Sequence, residues 1–263
     1  MDLGIQNKVA IVCASSQGLG KATALGLASE GASVVIFARH KKDLDEATHE
    51  IATTTNSEVL PIVADVTKVE DIHKVVQTTV DKFGTVHILI NNAGGPPVAN
   101  FADLTDESWI NGVNLTLMST IRMTREVIPY MLKNKWGRIV NITSLTAKQP
   151  INDLIISSTL RPGILGLAKI LSNQYSKYGI LVNNVCPGHY LTKRQEEIIK
   201  KRSAERNITP EEYIKQHTSE IPTGRFGKPE ELANMIVFLC SEKASYVTGS
   251  TISVDGGLVK GLF

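Results

Sequence analysis

Short apolar runs and longer amphipathic runs alternate along this chain. The apolar runs are rich in Val, Ile and Leu without polar alternation, which is typical of strands buried on both faces. They lie at residues 9–13, 33–38, 59–64, 86–90, 138–142, 181–185 and 251–254. Parallel strands are joined by crossover helices, so the alternation predicts a doubly wound α/β fold with helices on both faces of a parallel sheet.

The first strand-to-helix turn carries a glycine-bearing loop. Residues 14–20 read Ala-Ser-Ser-Gln-Gly-Leu-Gly, and a helix-like run follows as far as Gly31. The unpaired N–H groups at a helix start attract a phosphate, and glycines let a pyrophosphate approach the backbone. The loop is therefore a candidate dinucleotide site, although an ordinary strand-to-helix turn has the same pattern.

Composition argues against several other functions. The 28 basic and 26 acidic residues leave a net charge of +2, too little to favour a nucleic acid or a membrane as partner. Cys13, Cys186 and Cys240 lie in apolar runs without short spacing, as expected of reduced core thiols rather than disulfides or a metal site. Without a signal sequence or an apolar run of ~18 residues, the protein is predicted to be cytoplasmic.

Residues 1–263 are predicted to form a single domain, because no linker or repeat interrupts the pattern. Within the helical run 106–134, Pro129 predicts a bend or a boundary. The charged stretch 193–227 is predicted to be an insert that covers the substrate. Its segment 209–212, Thr-Pro-Glu-Glu, predicts a helix start, and 200–202, Lys-Lys-Arg, predicts a solvated helix face.

Polar and glycine motifs follow the later strands in a fixed order: Asp65-Val66, Asn91-Asn92-Ala93-Gly94, Asn114, Ser144, Pro187-Gly188 with Thr192, and Asp255-Gly256-Gly257. With the loop at 14–20, these motifs give the chain a resemblance to the short-chain dehydrogenase/reductase family over essentially its whole length, and in particular to the 3-oxoacyl-acyl-carrier-protein reductases. The resemblance implies a Rossmann-type sheet of seven parallel strands, a nicotinamide cofactor at the carboxyl ends of the strands, and a homotetramer.

The resemblance also implies which residues bind the cofactor. The phosphates would meet the loop, the adenine would meet the motif after the third strand, the ribose the motif after the fourth, and the nicotinamide carboxamide the motif after the sixth. In that order the residues are Ser15, Gln17, Gly18, Leu19 and Gly20; Asp65 and Val66; Asn91 and Ala93; Pro187, Gly188 and Thr192. One departure is Ala14, where the family has a glycine. An alanine is tolerable there only if its φ stays below zero.

Charge after the second strand favours NADP(H) over NAD(H). An NAD site needs a carboxylate there for the ribose 2′-hydroxyl, whereas a 2′-phosphate needs a cation. The stretch 37–42 reads Phe-Ala-Arg-His-Lys-Lys, with no carboxylate before Asp43. Arg39 can bind a phosphate through its guanidinium fork, although it could also stack on the adenine or face the solvent.

The active-site pattern of the family is incomplete. The family has a serine, a tyrosine thirteen residues later and a lysine four residues after that; counting from Ser144 gives Ser157 and Arg161, and none of the six tyrosines has a lysine at that spacing. A serine hydroxyl is a weaker acid than a phenol, and Arg161 does not deprotonate. Pro162 makes both the helix start and the pairing of Ser157 with Arg161 uncertain.

Two functions remain open. In the first, the protein is a carbonyl reductase or alcohol dehydrogenase in which Asn114 and Ser144 orient the substrate, Arg161 stabilises a developing alkoxide, and another group supplies the proton. Tyr190, His189 and Lys148 are candidates for that group by position. In the second, it binds the cofactor without hydride chemistry, as a sensor or an assembly partner. A methyltransferase fits less well, since it would want an acidic residue after the second strand.

Overall fold

The computed structural model describes residues 2–262, and its centre is a sheet of seven parallel strands in the order β3-β2-β1-β4-β5-β6-β7. The strands are β1 (Val9–Val12), β2 (Ser33–Ala38), β3 (Val59–Val63), β4 (Ile88–Asn91), β5 (Gly137–Ile142), β6 (Ile180–Pro187) and β7 (Thr251–Val254). The chain reverses its winding direction between β3 and β4, which places a crevice beside the carboxyl ends of β1 and β4. The predicted doubly wound Rossmann-type fold is confirmed.

Helices cover both faces of the sheet because the strands are apolar on both faces. Alternate residues of β2 show this, since Ile36 belongs to the core on one face and Phe37 to the core on the other. The helices are α1 (Gly18–Ser29), α2 (Lys41–Thr55), α3 (Val69–Phe83), α4 (Asp106–Gly112), α5 (Ser119–Asn134), α6 (Ile155–Tyr175), α7 (Lys193–Glu205), α8 (Pro210–Thr218) and α9 (Pro229–Leu239).

The irregular part of the helical run 106–134 is not where the sequence predicted it. Pro129 lies inside α5 and does not end the helix. The departure from α-helical geometry falls earlier, at a π-helical turn, Val113–Met118, which joins α4 to α5 and contains Asn114. Turns of this kind are frequent at functional sites because they redirect one side chain without ending the helix.

The stretch 193–227 forms α7 and α8 over a small core of its own, Ile199, Tyr213, Ile221 and Phe226. The predicted start of α8 is confirmed: Thr209 and Glu212 form a capping box, with Pro210 in the first turn. Lys200 and Lys201 are exposed as expected. Arg202 departs from the prediction of a solvated face, because its side chain turns inward and its guanidinium is only 27% exposed.

The three cysteines are free and buried, as predicted. Burial raises the pKa of the Cys13 and Cys240 thiols to about 12. Across residues 2–262, no helix is both long and apolar enough to span a membrane. Within that same range, His, Cys, Asp and Glu side chains do not gather into a group that could hold a metal ion.

Candidate active site

Two adjoining cavities open at the carboxyl ends of the strands. The outer cleft, of about 420 Å³, is lined by the ends of β1 to β4 and the loops that follow them. The inner cavity, of about 240 Å³, is lined by side chains from the end of β5, from α6, from α7 and α8, and from the loop after β6. Gly95 lines both, so the two cavities meet at this residue.

The loop between β1 and α1 has the geometry of a phosphate cradle. Gly18 has φ +59°, and a Cβ at Gly20 would overlap the carbonyl oxygen of Ala14, so both positions require glycine. No side chain caps the first turn of α1, and the turn holds no acidic residue. The N–H groups of this turn are therefore available to an anion in the outer cleft, and the residues present fit a dinucleotide.

At the other end of the outer cleft lie Arg39, Asp43 and Asp65. Arg39 is exposed at the end of β2, and Asp43 lies in the first turn of α2. Asp65 is held in place because its Oδ1 accepts hydrogen bonds from the N–H and the hydroxyl of Thr67, at 2.9 and 2.8 Å. This end of the cleft thus presents one exposed guanidinium and two carboxylates.

A hydrogen-bond network forms the floor of the inner cavity. The Nε of Arg161 donates to Ser157 Oγ at 3.0 Å, and Ser157 Oγ lies 2.8 Å from Thr146 Oγ1. Arg161 also donates to the carbonyl oxygens of Ile142 and Thr143 at the end of β5. Ser144 accepts from the N–H of Thr146 at 3.1 Å and lines the cavity. Ser144, Ser157 and Arg161 are thereby brought to one wall.

The pairing of Ser157 with Arg161 forms despite Pro162. α6 begins at Ile155, so Pro162 lies inside the helix, where it removes the N–H that would bond to the carbonyl of Ser158. The two side chains still meet one turn apart on the same face. Because Arg161 is 92% buried and donates to strand carbonyls, it is as much a structural tie between α6 and β5 as a wall of the cavity.

The amino-acid sequence of this chain is similar to those of known dehydrogenases and reductases. The family model of the enoyl-(acyl carrier protein) reductases matches residues 13–259. A curated relative, the 3-oxoacyl-[acyl-carrier-protein] reductase FabG of Thermotoga maritima, is 35% identical over 97% of this chain and 99% of its own length. D-beta-hydroxybutyrate dehydrogenase of Rhizobium meliloti is 33% identical over 95% and 98%. The chain belongs to the short-chain dehydrogenase/reductase family.

Solved structures place the chain among oxidoreductases of that family. L-sorbose reductase from Gluconobacter frateurii, solved with NADPH and L-sorbose, superposes with a TM-score of 0.96 at 35% identity and covers all of both chains. Actinorhodin polyketide ketoreductase with NADPH superposes with a TM-score of 0.92 at 32% identity, over 97% of this chain and 98% of the other. The protein is accordingly an oxidoreductase of the short-chain dehydrogenase/reductase family.

Most of the predicted cofactor residues of this dehydrogenase/reductase line a cavity. Gln17, Gly18, Leu19, Arg39, Asp65, Val66, Ala93 and Thr192 line the outer cleft, and Gly188 lines the inner cavity. Ser15, Gly20, Asn91 and Pro187 line neither. The Oγ of Ser15 donates to the carbonyl of Val12 at 2.7 Å, and Asn91 Nδ2 donates to Thr124 and Asn141. The side chains of Ser15 and Asn91 therefore stabilise the strand ends beneath the cleft.

Ala14 does not meet the condition that the sequence set for it. Its φ is +47°, in the left-handed region, where an alanine is strained and a glycine is not. The carbonyl of Ala14 packs against Gly20 and accepts a hydrogen bond from Asn92 Nδ2 at 3.2 Å. The surrounding contacts therefore hold the strained residue in the conformation that the loop requires.

Asn114 lies outside both cavities. Its Oδ1 accepts a hydrogen bond from the Nη2 of Arg122 at 3.2 Å, and the Nη1 of Arg122 donates to the carbonyl of Thr67. The side chain of Asn114 therefore ties the π-helical turn to the loop after β3. A role in orienting a substrate would have to pass through its backbone or through water.

The three candidate proton donors have different surroundings. Tyr190 is buried in the core, and its hydroxyl donates to the carbonyl of Val254 at 2.7 Å; burial also raises its pKa. Lys148 is not among the residues that line the inner cavity. His189 lines that cavity, and burial, with smaller contributions from His217 and Arg202, lowers its pKa below 6.5. Of the three, His189 is the one that lines the inner cavity.

Sequence reasoning predicted that the stretch 193–227 covers the substrate, but it did not single out the residues of α7 and α8 that line the inner cavity. Gln195, Ile198, Arg202 and Tyr213 all line it. A signal was present in α7, where Ile198 and Ile199 interrupt the charged run and mark the buried side of the helix. Arg202 lies four residues after Ile198 on that side, so its neighbours Lys200 and Lys201 were a poor guide to its exposure.

Proposed function

We propose that the chain is an NADP(H)-dependent oxidoreductase that interconverts a carbonyl and an alcohol by hydride transfer. The observation that carries the proposal is the junction at Gly95, where a cleft with a phosphate cradle meets a cavity that contains Ser144. The proposal includes a non-standard active site, in which Ser157 and Arg161 occupy the places of the family's tyrosine and lysine. A bound reduced nicotinamide at the junction would supply the hydride.

Arg39 supports the preference for NADP(H). It lines the cleft at the end of β2, where a 2′-phosphate would lie, and the NADPH-bound L-sorbose reductase and actinorhodin ketoreductase share the fold. Asp43 lines the same end of the cleft and would favour a 2′-hydroxyl. Arg39 precedes it and is exposed, so its guanidinium can reach the phosphate and also shield that carboxylate.

The residues of the inner cavity can bind and polarise a carbonyl. The hydroxyl of Ser144 accepts from the N–H of Thr146 and keeps its own proton for the substrate oxygen. Arg161 donates to Ser157 Oγ, which makes the Ser157 hydroxyl a better donor, and its charge stabilises a developing alkoxide. Asn114 would act at a distance by positioning the π-helical turn.

His189 is the proposed proton donor for the alkoxide. It is the one sequence candidate that lines the inner cavity, and it follows Gly188 at the end of β6. Because its pKa is lowered, the neutral imidazole predominates at pH 7 and can accept a proton in the direction of alcohol oxidation. Reduction of a carbonyl would need the protonated form and would be faster at lower pH.

The alternative function is cofactor binding with little or no catalysis, in a sensor or an assembly partner. The absence of a tyrosine–lysine pair from the motif favours it, whereas the cavity at Ser144 favours the enzyme. The remaining expectations extend either proposal: a single domain over residues 1–263, a lid at 193–227, a homotetramer and a cytoplasmic location. Sedimentation of the purified protein measures the assembly state directly.

Titration of the purified protein with NADPH and NADH, followed by nicotinamide fluorescence, tests the cofactor site first. We expect micromolar binding of NADPH, ~8 kcal/mol, and weaker binding of NADH. Turnover of a panel of ketones and aldehydes with the bound nucleotide then separates the two functions. Binding without any turnover supports the sensor, and failure to bind either nucleotide would overturn both.

A further inference from the structure

The inner cavity carries one guanidinium more than carbonyl reduction needs. Arg161 enters from α6 and is tied to Ser157 and to the end of β5. Arg202 enters from α7. One cation suffices to stabilise a developing alkoxide, so the second requires another explanation.

Arg202 is held in a fixed position with donors to spare. Its Nη2 donates to Asp153 Oδ2 at 2.5 Å, and its Nη1 donates to the hydroxyl of Tyr213 at 3.4 Å. These contacts use two of the five N–H donors of a guanidinium. The phenol ring of Tyr213 is buried and stacks on His217 with 3.8 Å between the ring centres, which fixes the partner in turn.

The cavity around Arg202 combines two cationic side chains with polar and apolar ones. Among its lining residues in the described part of the chain, Arg161 and Arg202 are the arginines, and none is an aspartate or a glutamate. The polar residues Ser144, Ser157, His189, Gln195 and Tyr213 line the cavity together with apolar residues such as Leu145, Ile151 and Ile198. Its volume of about 240 Å³ is below the range of about 300–1,000 Å³ typical of drug-sized ligands. A compact ligand with an apolar skeleton and one anionic group matches this lining.

We infer that the substrate is a small oxo acid or hydroxy acid, whose carboxylate binds Arg202 while its reacting carbonyl or hydroxyl lies at Ser144. The inference rests on the proposed oxidoreductase function. A guanidinium fork matches the two oxygens of a carboxylate, and a partly apolar surrounding strengthens the pairing. Asp153 holds Arg202 in place, and its negative charge weakens the attraction for a second carboxylate.

Paired substrates test the inference in the intact chain with NADPH. Pyruvate, acetoacetate and levulinate place the ketone at increasing distances from the carboxylate, and the methyl ester of each removes the charge with little change in shape. We expect a higher kcat/KM for at least one acid than for its ester. A higher kcat/KM for every ester would overturn the inference.

Three variants separate charge from structure. Arg202→Met is expected to lower kcat/KM for the acid by about tenfold or more and to leave the ester unchanged, because it removes charge-assisted hydrogen bonds that only the acid makes. Asp153→Asn keeps Arg202 and is expected to lower KM for the acid alone. Lys201→Met is the matched control, since Lys201 is exposed on the same helix and lines neither the outer cleft nor the inner cavity. Equal losses for acid and ester in Arg202→Met would indicate a structural role and overturn the inference.

A binding measurement keeps the inference testable if no ketone is reduced. Levulinate and methyl levulinate are titrated by calorimetry into the protein saturated with NADPH, before and after Arg202→Met. Binding of the acid alone, lost in the variant, supports the carboxylate site and counts against the proposed catalysis only. Reduction of esters with no preference for the acids would support the proposed oxidoreductase function and overturn the carboxylate site.

Discussion

The outer cleft and the inner cavity are built from different parts of the structure. The outer cleft is formed by strand ends and loop backbone, with the N–H groups of α1 facing into it. The inner cavity is formed by side chains, of which Arg161 and Ser157 come from α6 and Arg202 from α7. Side chains can be replaced without disturbing the backbone around them. Under the proposed function, this difference explains how a cofactor site can persist while the residues around the substrate carbonyl change.

The largest effect is expected from replacing Arg39, which lines the outer cleft at the end of β2. Arg39→Asp should lower the affinity for NADPH relative to NADH by about a hundredfold, because it replaces a phosphate-binding cation with a carboxylate. Fluorescence titration with both nucleotides measures the ratio. Lys42→Asp makes the same charge change nearby, but Lys42 does not line the cleft, so the ratio should not move. An equal shift of the NADPH-to-NADH affinity ratio in both variants would mean that the overall electrostatic field, rather than contact with Arg39, sets the preference.

The outer cleft was largely predictable from sequence because its parts follow from strand ends. Once the apolar runs are placed in a parallel sheet, Gly18, Arg39 and Asp65 must come to one edge. The direction of a side chain at a strand end is harder to predict. Ser15 and Asn91 lie on the predicted loops, yet both turn inward because buried backbone and amide groups need partners there.

The inner cavity was less predictable because it depends on how separate elements pack. Tyr190 is close in sequence to His189, but its ring enters the core and its hydroxyl is bonded to Val254. Arg202 belongs to a run of three cations that looks solvated. Its spacing of four residues from Ile198 indicates the buried side of α7, but only the packing of α7 on α8 shows that Tyr213 is its partner. The direction of the Tyr190 ring is not contained in local propensity or periodicity.

The pH dependence of reduction tests whether the inner cavity has its own proton donor. The pKa of His189 is lowered from 6.5, so the fraction of protonated imidazole falls as the pH rises above that lowered pKa. In that range kcat/KM for reduction should fall by up to about tenfold per pH unit. The dependence should be lost in His189→Asn. It should persist in Tyr213→Phe, which removes another ionisable group of the cavity. Loss of the dependence in Tyr213→Phe alone would assign the proton to the phenol.

Introducing a tyrosine at position 157 and a lysine at position 161 tests the proposed non-standard active site more directly. Ser157→Tyr with Arg161→Lys should raise the turnover of a generic diketone by about fivefold, because a phenol beside an ammonium is a stronger acid than a serine hydroxyl. Ser157→Phe with Arg161→Lys is the matched control: it adds the ring without the acidic proton and should show no gain. If neither variant gains activity, the shape of the cavity limits the reaction rather than the missing acid.

The smallest effect is expected at Ala14, the left-handed alanine that lines the outer cleft. A left-handed alanine costs about 1–2 kcal/mol, and glycine loses part of that gain through the greater freedom of the unfolded chain. Ala14→Gly should therefore raise the melting temperature by about 2 °C and leave NADPH affinity equal or higher. Lys135→Gly is the control: Lys135 has φ +52° at the end of α5, outside both cavities, so it should give similar stabilisation and no change in affinity. Weaker NADPH binding in Ala14→Gly alone would show that the methyl group of Ala14 stiffens the loop for its ligand, and that the backbone of the outer cleft also depends on one side chain.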